Sequence, residues 1–265
     1  ASAAHVLVHS TLHKGGMKVI PTFTGVEGKQ TVIGNYWPKR IPGVMVHKVS
    51  MREGRFVGHR GQEVELVRES GAEKPQDMSE FYQWFVLPPP NENGESWMRD
   101  IRTYVVGGEP VVGVVKWAQQ PLTRDHLKGR VLPGREHFYS AQARGQRELL
   151  EGELQERVFA AARQACKLLG AESLGSDGLE SAGTSGVGFG SIDFLLDSDG
   201  MPLVVDFDLF PQIYADYGIN EMLAVALADE VANMCGEERK VMLISFPDLE
   251  WVHDQFFGKV TMRLM

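Results

Sequence analysis

The chain has 265 residues, of which 43% are apolar and 23% charged, and its formal net charge is −8. This composition is that of a globular protein with one large domain or two lobes, and the negative charge argues against a general nucleic-acid-binding protein. We find no run of ~18 apolar residues that would span a membrane, and no signal sequence. The two cysteines lack disulfide or zinc spacing, so we expect a cytoplasmic protein without a membrane partner.

The first part of the chain predicts a β-rich lobe. Residues 5–10 alternate in the manner of a strand, and three further short strands are separated by Gly- and Pro-containing turns: 17–24, 30–37 and 44–49. His5, His9 and His13 are four residues apart, but in an extended segment His5 and His9 would lie ~13 Å apart. We therefore assign no metal to them. Residues 1–70 hold ten Lys/Arg against five Asp/Glu, which favours either contact with phosphates or a solvated basic face.

The rest of the chain alternates predicted elements with polar connections. The elements are a strand over 79–87, a hairpin over 98–117 that turns at Gly107-Gly108, helices over 148–169 and 220–235, and a strand over 241–246. A long polar connection covers 119–147. A second connection, 172–190, is more than half Gly and Ser, and we interpret it as a lid because loops of this length are usually functional or disordered.

Segment 189–211, FGSIDFLLDSDGMPLVVDFDLFP, predicts a hairpin with one apolar and one acidic face. Asp199-Gly200 is typical of a two-residue turn, which places Asp193 directly opposite Asp206. Because side chains alternate between the faces of a sheet, one face is expected to enter the core. Its residues are Ile192, Phe194, Leu196, Leu203, Val205 and Phe207.

The other face of this hairpin collects Ser191, Asp193, Asp206 and Asp208, together with Leu195 and Val204. Opposed Cβ atoms lie ~5 Å apart, so these carboxylates repel each other unless one is protonated or a cation lies among them. Hard oxygen ligands suit Mg²⁺, which usually keeps waters and substrate phosphates as its other ligands. The alternative is a solvated edge hairpin whose polar face happens to be acidic.

The pattern I-D-F-L-L-D-S-D-G-x-P-x-V-V-D-x-D-x-x-P resembles the carboxy-terminal metal hairpin of the ATP-grasp superfamily, which includes D-alanine ligases, glutathione synthetases and the inositol phosphate kinases. This resemblance implies an α+β, ATP-grasp-like fold with two lobes whose antiparallel sheets hold ATP between them. It also implies ATP and Mg²⁺ as cofactors, with Asp193 and Asp206 as metal ligands. Asp208 stands where the family usually has Asn, which adds a negative charge to the predicted site.

Segment 98–117 resembles the family's D-x-R-v-y-V-v-G segment, and Asp100 and Arg102 match it. Lys116 falls where many members carry an Arg that faces the transferred phosphoryl group. The resemblance therefore implies that Arg102 and Lys116 are catalytic and stabilise charge that develops on the phosphate. An ordinary ion pair at the end of a strand is the alternative for Arg102.

The nucleotide contacts are also expected from the resemblance. Segment 79–87 is similar to the hinge between the family's lobes, so the candidates for adenine and ribose are Phe85, Val86 and Glu92; an ordinary core strand is the alternative for its aromatic residues. The turn 25–29 is the nearest candidate for a phosphate-binding loop, although it has neither a Walker-type nor a G-x-G-x-x-G pattern. The lysines nearest to this role are Lys18, Lys29 and Lys39, and exposed lysines at turns are the alternative.

We predict an amino-terminal β-rich lobe over 1–87, an ATP-grasp lobe over 88–235 and a tail over 236–265. The resemblance implies a ligase that activates a carboxylate as an acyl phosphate for attack by an amine. Its expected partners are ATP and a small-molecule or peptide carboxylate. An inositol-phosphate-like kinase of the same fold and a non-catalytic ATP-grasp-like binding protein remain as alternatives.

Overall fold

The structure is a computed structural model. It describes residues 2–26, 29–49, 51–52, 55–56, 63–72, 74–75, 80–134, 136–137, 147–173, 188–208, 211–214 and 216–234. The chain divides into two compact units, Ala1–Pro211 and Gln212–Met265. Within the described residues, no helix is both long and apolar enough to span a membrane.

The first unit contains two antiparallel sheets and the helices that pack on them. Its elements in chain order are α1 (Ser2–Lys14), β1 (Thr22–Val26), β2 (Lys29–Ile33), β3 (Arg40–Val49), β4 (Met51–Arg52), β5 (Arg55–Phe56), β6 (Glu63–Arg68), a 3₁₀ turn (Glu69–Gly71), β7 (Glu80–Val86), β8 (Arg99–Val106), β9 (Glu109–Trp117), α2 (Arg124–Leu127), β10 (Arg147–Leu149), α3 (Gly152–Ser173), β11 (Phe189–Leu196) and β12 (Pro202–Asp208). The second unit contains a 3₁₀ turn (Asp216–Gly218) and α4 (Ile219–Met234).

Both main sheets have five strands. The strand order is β2-β1-β7-β3-β6 in the first sheet and β10-β9-β8-β11-β12 in the second, and all neighbours are antiparallel. The predicted α+β class with two antiparallel sheets is confirmed. Aromatic and valine-rich segments such as β7 and β9 form interior strands of the two sheets, as expected for side chains that pack well on a pleated surface.

Helices α1 and α3 cover one face of the second sheet. Leu12 of α1 and Val158 of α3 lie in one buried cluster with Ile101, Ile192 and Phe194 of β8 and β11. Neighbouring residues of a strand point to opposite faces. The charged residues next to these core residues on β8 and β11 therefore lie on the other face of the sheet.

A second buried cluster joins the two sheets. It brings Ile41, Val44 and Phe85 of the first sheet together with Met98 and Ala118, which flank β8 and β9. One face of the first sheet therefore looks toward the second sheet, and its other face, which carries Met45 and Trp84, looks away from it.

The amino-terminal segment differs from its prediction. Residues 2–14 form α1 rather than a strand. Val6, His9 and Leu12 are buried while Leu7 is exposed, which is helical spacing and not the alternation of a strand. The apparent alternation extended over too few residues to distinguish the two. Gly16, with a φ of 83°, follows the end of the helix.

The hairpin over β11 and β12 differs in its turn. The backbone N–H of Asp197 donates to the Met201 carbonyl, so the loop has three residues and not two. A bulge between Asp193 and Phe194 then moves the register by one residue and restores the pairing of Asp193 with Asp206.

The core face predicted for this hairpin was therefore partly wrong. Between the turn and the bulge, Phe194 pairs with Val204, and both lie in the cluster under α1 and α3. Leu203 and Val205, predicted for that cluster, pack with Ile20 on another part of the unit. The extra residue in the loop is the reason, because a shift of one residue exchanges the two faces of a strand.

Other boundaries are close to the predictions. The hairpin over 98–117 turns at Gly107 and Gly108, both with positive φ. The predicted helix from residue 148 begins at Gly152, because β10 occupies residues 147–149. Most of the predicted lid and the predicted strand 241–246 lie outside the described residues. The predicted boundaries of the lobes remain a prediction.

Candidate functional site

The face of the second sheet that looks away from α1 and α3 carries a row of charged side chains. Arg102 on β8 lies opposite Asp193 on β11, which lies opposite Asp206 on β12. Arg102 Nε donates to Asp193 Oδ1 at 2.8 Å, and Nη2 donates to Oδ2 at 2.7 Å. These two side chains are only 14% and 12% exposed. The pair is a bidentate, nearly buried ion pair that fixes the guanidinium plane.

The charge of Asp193 is stabilised by this arrangement. Burial alone would raise the pKa of Asp193, but the positive charges of Arg102 and Lys116 and the hydrogen bonds from Arg102 hold that pKa well below its usual range. The carboxylate of Asp193 is therefore ionised throughout the physiological pH range.

A second ion pair lies one rung further along the same face. Lys116 on β9 is opposite Asp100 on β8, and its ammonium group contacts Asp100 Oδ2. Lys116 is buried. Asp100 Oδ1 is buried and has no hydrogen-bond partner among the described residues. Burial raises the pKa of Asp100, and the positive charge of Lys116 opposes this effect. The pair therefore fixes the position of the Lys116 cation, but removing both charges from water costs free energy.

The two remaining carboxylates lie on β12. Asp206 Oδ1 accepts a hydrogen bond from the backbone N–H of Phe207 at 2.7 Å. Asp208 lies opposite Ser191, whose buried hydroxyl has no hydrogen-bond partner among the described residues. Both aspartates are half-buried.

The three predicted metal ligands differ in their surroundings. In the described part of the chain, no group of three His, Cys, Asp or Glu side chains is placed to hold a metal ion. Both oxygens of Asp193 already accept hydrogen bonds from Arg102. Asp206 and Asp208 also carry carboxylates, the type of oxygen donor that suits Mg²⁺, which commonly takes one or two carboxylates and completes its shell with water and phosphate.

Lys48 was missed by the sequence reasoning. It lies on β3 of the first sheet, where its ammonium group donates to the Val205 carbonyl of β12 at 3.4 Å. Its positive charge contributes to the lowered pKa of Asp193. Lys48 thus brings a cation from the first sheet to the charged face of the second. A signal was present in the sequence. Lys48 follows Val46 by two residues and Val44 by four, so all three side chains lie on the same face of one strand.

The predicted adenine residues lie at the end of β7. Phe85 and Val86 are both buried, and they enter different core clusters. The backbone N–H of Leu87 donates to the Lys39 carbonyl at 2.9 Å. Glu92, the predicted ribose ligand, is exposed in the turn that follows.

The lysines predicted for phosphate are dispersed over the first sheet and its connections. Lys18 Nζ lies 4.6 Å from the ring centre of Tyr36. Lys29 is exposed at the start of β2. Lys39 Nζ lies 3.7 Å from Asp199 Oδ1 in an exposed pair, which contributes little to stability.

The Tyr36 hydroxyl, beside Lys18, donates to Asp197 at the turn of the β11–β12 hairpin. That hydrogen bond, together with burial and the charge of Asp197, raises the pKa of Tyr36 to about 12. The contact ties the hairpin turn to the segment that connects β2 and β3.

Comparison with known proteins was informative at the level of structure. A scan against models of protein families and a search of the curated proteins each found no match. Among solved structures, the chain is similar to the D-cycloserine synthetase DcsG, with a TM-score of 0.52, 17% sequence identity, and coverage of 86% of this chain and 69% of that chain.

Two further solved structures show weaker similarity. The first is the ATP-grasp ligase PsnB complexed with a minimal precursor, with a TM-score of 0.47, 12% identity, and coverage of 87% of this chain and 61% of that chain. The second is the macrocyclase MdnC from Microcystis aeruginosa MRC bound with the precursor peptide MdnA, with a TM-score of 0.47, 12% identity, and coverage of 86% and 60%. The chain thus spans less than two thirds of the length of these two ligases.

The similarity to DcsG shows a shared fold. This is the ATP-grasp fold that the acidic hairpin and the segment over 98–117 predicted, and that prediction is confirmed.

Proposed function

We propose that this chain forms the nucleotide-binding lobes of an ATP- and Mg²⁺-dependent ligase. The ligase would convert a carboxylate into an acyl phosphate and transfer the acyl group to an amine. The observation that supports this proposal most strongly is the convergence of three cations on one face of the second sheet, where Arg102, Lys116 and Lys48 lie among carboxylates. The ATP-grasp fold, shared with a D-cycloserine synthetase, agrees with it.

Arg102 and Lys116 are the residues that we assign to charge stabilisation. Both are held by carboxylates that fix their position, Asp193 for Arg102 and Asp100 for Lys116. Fixed cations in a site from which water is largely excluded stabilise developing negative charge without the cost of reorganising when the reaction occurs. We assign Asp193 and Asp100 the role of positioning residues, because they act on the phosphates through Arg102 and Lys116.

Lys48 is the lysine that we assign to the phosphates of ATP. It lies on the first sheet and reaches the second, so a phosphate bound there would be held from both sheets. Lys29 is exposed and Lys18 lies against Tyr36. We therefore consider both lysines weaker candidates for phosphate binding than Lys48. The adenine remains assigned to the end of β7 at Phe85 and Val86.

Asp206 and Asp208 are the residues that would hold Mg²⁺, with Glu92 kept for the ribose. When bound, Mg²⁺ would neutralise charge on the phosphate oxygens. Asp193 is reserved for Arg102 in this assignment, since its two oxygens accept both guanidinium hydrogen bonds.

The proposed reaction has two steps. A substrate carboxylate oxygen attacks the γ-phosphorus of ATP, a new O–P bond forms, and the bond to the oxygen of the ADP leaving group breaks. An amine then attacks the acyl carbon, the C–O bond to phosphate breaks, and the amine loses a proton to give an amide and inorganic phosphate. The substrate class is therefore a carboxylate, small or within a peptide.

Calorimetric titration with ATP in the presence and absence of Mg²⁺ tests the nucleotide site. We expect binding that needs Mg²⁺, is lost in Lys48→Met, and is unchanged in Lys29→Met, which removes an exposed lysine of the same sheet. Equal binding by both variants would contradict the assignment of Lys48.

The products distinguish the proposed ligase from its alternatives. ADP release that requires both a carboxylate and an amine, with an amide formed, supports the ligase. A phosphate ester would instead identify a kinase, and Mg²⁺-dependent ATP binding without any ADP release from a panel of carboxylates and amines would identify a binding protein.

A further inference from the structure

The polar segment that follows β9 contains two buried histidines whose rings are in contact. His126 on α2 is 7% exposed and His137 is 8% exposed. Their ring centres lie 4.3 Å apart, with an interplanar angle of 63°. Histidine is the side chain whose ordinary pKa lies between pH 5 and 8. A change of charge in this pH range therefore occurs inside the packed structure and not in solvent.

His126 closes the first turn of α2 through an unprotonated ring nitrogen. Its Nδ1 accepts a hydrogen bond from the backbone N–H of Thr123 at 3.1 Å, and the backbone N–H of His126 donates to Thr123 Oγ1 at 3.4 Å. This arrangement is a capping box in which histidine takes the place of Glu or Gln. Because Nδ1 accepts, the proton of the neutral ring lies on Nε2. A second proton must enter at Nδ1, where it replaces the acceptor with a donor.

The surroundings of His126 oppose its protonation. Burial and the neighbouring His137 lower the pKa of His126, whereas the carboxylates of Glu136 and Asp125 raise it by less. Asp125 is paired with Arg130 at 3.3 Å, and Glu136 Oε1 lies 3.1 Å from His137 Nδ1. A histidine in an open chain has a pKa of about 6.5. The closed turn is therefore most stable above that pH and loses stability as the pH falls below it.

The turn that His126 caps contacts the first sheet through its backbone. Arg68 on β6 donates from Nη1 to the Gly129 carbonyl and from Nη2 to the Arg130 carbonyl, the latter at 2.8 Å. Gly129 has a φ of 65°, and a Cβ at this position would meet the carbonyl oxygen of Pro42, which precedes the middle of β3. The backbone N–H of Gly129 donates in turn to the His126 carbonyl at 2.8 Å. The conformation of the turn thus determines whether these contacts can form.

Apolar contacts join the same segment to the first sheet. Leu122 lies just before the capping residue and is buried, and Leu127 follows His126. Both pack in the cluster that contains Val44 and Phe85 of the first sheet. Opening of the turn would therefore loosen polar and apolar contacts together.

We propose that His126 is a pH-sensitive switch: the neutral ring holds residues 118–134 on the first sheet, and the protonated ring releases them. On protonation, the N–H of Thr123 loses its acceptor and a charge enters a buried position beside His137, which is costly unless the turn opens to water. The switch itself needs no ligand. One consequence rests on the proposed function: because Phe85 shares the cluster, ATP affinity is expected to fall in the same pH range.

NMR of the ring nitrogens tests the starting state of the switch. Long-range ¹⁵N–¹H spectra of the full chain, with the His126 signal identified by its absence in His126→Gln, distinguish a protonated from an unprotonated Nδ1. We expect an unprotonated Nδ1 and a protonated Nε2 above pH 7. A proton on Nδ1 in that range would overturn the proposal.

Hydrogen exchange at pH 7.5 and 5.5, followed by mass spectrometry and corrected for the intrinsic rate at each pH, tests the opening. We expect the protection of 118–134 to fall by about tenfold in the wild type, since pH 5.5 lies about one unit below the ordinary pKa of histidine. Peptides from β8 and β9 keep their protection and provide an internal reference.

Two variants assign the response to His126. His126→Gln keeps a side-chain acceptor of the kind that a capping box uses but does not titrate, so its protection should be equal at both pH values. His47→Gln removes another histidine, which contacts Glu80 on the first sheet, and this matched control should retain the full response of the wild type.

Three outcomes of the exchange experiment would overturn the proposal. They are equal protection of 118–134 at both pH values in the wild type, an undiminished pH response in His126→Gln, and a parallel loss of protection in β8 and β9, which would indicate global destabilisation. The first and third are read from the wild type alone, so the proposal remains testable if the variant does not fold.

Calorimetric titration with Mg²⁺-ATP at the same two pH values separates the switch from the proposed function. We expect the affinity to fall more at pH 5.5 in the wild type than in His126→Gln, and an equal fall in both would overturn the link to the nucleotide. Absence of ATP binding at either pH would contradict the proposed function, whereas the exchange experiment decides on the switch by itself.

Discussion

Asp193 and Asp206 are paired on the neighbouring strands β11 and β12. The structure nevertheless predicts different consequences when each is changed to asparagine. In Asp193→Asn, the Arg102 guanidinium keeps its charge in a side chain that is only 14% exposed. Breaking a buried ion pair by neutralising one partner typically costs ~3–5 kcal/mol. Because the asparagine oxygen still accepts one of the two hydrogen bonds, we expect a loss of ~3 kcal/mol in the free energy of unfolding at neutral pH.

The lowered pKa of Asp193 also predicts how the loss of stability in Asp193→Asn depends on pH. The pKa of Asp193 lies below its usual range in the folded chain. As the pH falls, Asp193 is therefore protonated in the unfolded chain before it is protonated in the folded chain, starting near pH ~4. The stability contributed by Asp193 is complete above that pH and is lost as the pH falls through the folded pKa. We expect the difference between the wild type and Asp193→Asn to shrink over this acidic range.

Asp206→Asn changes a half-buried carboxylate that lies outside the Arg102 pair. We expect a smaller loss of metal-free stability than in Asp193→Asn, because the asparagine oxygen still accepts the hydrogen bond from the backbone N–H of Phe207. The stabilisation by Mg²⁺ and ATP should fall sharply, since a charged ligand is removed.

Urea denaturation at several pH values, and thermal melts with and without Mg²⁺-ATP, measure both effects. Equal destabilisation by the two variants would contradict the pairing of Arg102 with Asp193. An equal shift by Mg²⁺-ATP in the wild type and Asp206→Asn would exclude Asp206 as a metal ligand.

Three further changes test other contacts. Lys116→Met leaves Asp100 buried without its cation, so we expect a loss of ~3 kcal/mol at neutral pH that shrinks as the carboxyl group is protonated, measured by urea denaturation at two pH values. Tyr36→Phe removes the hydrogen bond to Asp197 and should cost ~1.5 kcal/mol in the same assay, and no loss would contradict that contact. Gly34→Ala would place a Cβ 2.7 Å from a backbone carbonyl oxygen at a φ of 110°, so we expect a loss of ~2 kcal/mol and a lower melting temperature, and an unchanged melt would refute this reasoning.

The sequence predicted the pairing of Asp193 with Asp206, although not the way in which it arises. The strong turn signal at Asp199-Gly200 predicted a two-residue loop, whereas the loop has three residues. A bulge compensates for the added residue before the acidic rungs are reached. Neither irregularity has a clear local signature, because both depend on how the two strands pack on their neighbours.

Contacts between distant segments were beyond the sequence patterns. Arg102 and Asp193 were each predicted as functional residues, but their pairing depends on the alignment of β8 with β11, which a long stretch of chain separates. Lys48 could be assigned to a strand, yet its proximity to Val205 depends on how the two sheets meet. Local periodicity determines which face of a strand a residue occupies and contains no information on what lies across that face.

The charge balance of this face determines how a metal would be bound. From sequence, three crowded carboxylates required a cation, and Mg²⁺ was the expected one. In the structure Arg102 supplies that cation to Asp193, and the charge of Lys48 adds to it. Asp206 and Asp208 are the carboxylates that we propose as metal ligands, and Mg²⁺ retains its waters unless several oxygens replace them. In the function that we propose, phosphate oxygens bound by Lys48 and Lys116 would supply the missing ligands, so we expect Mg²⁺ to bind together with the nucleotide rather than alone.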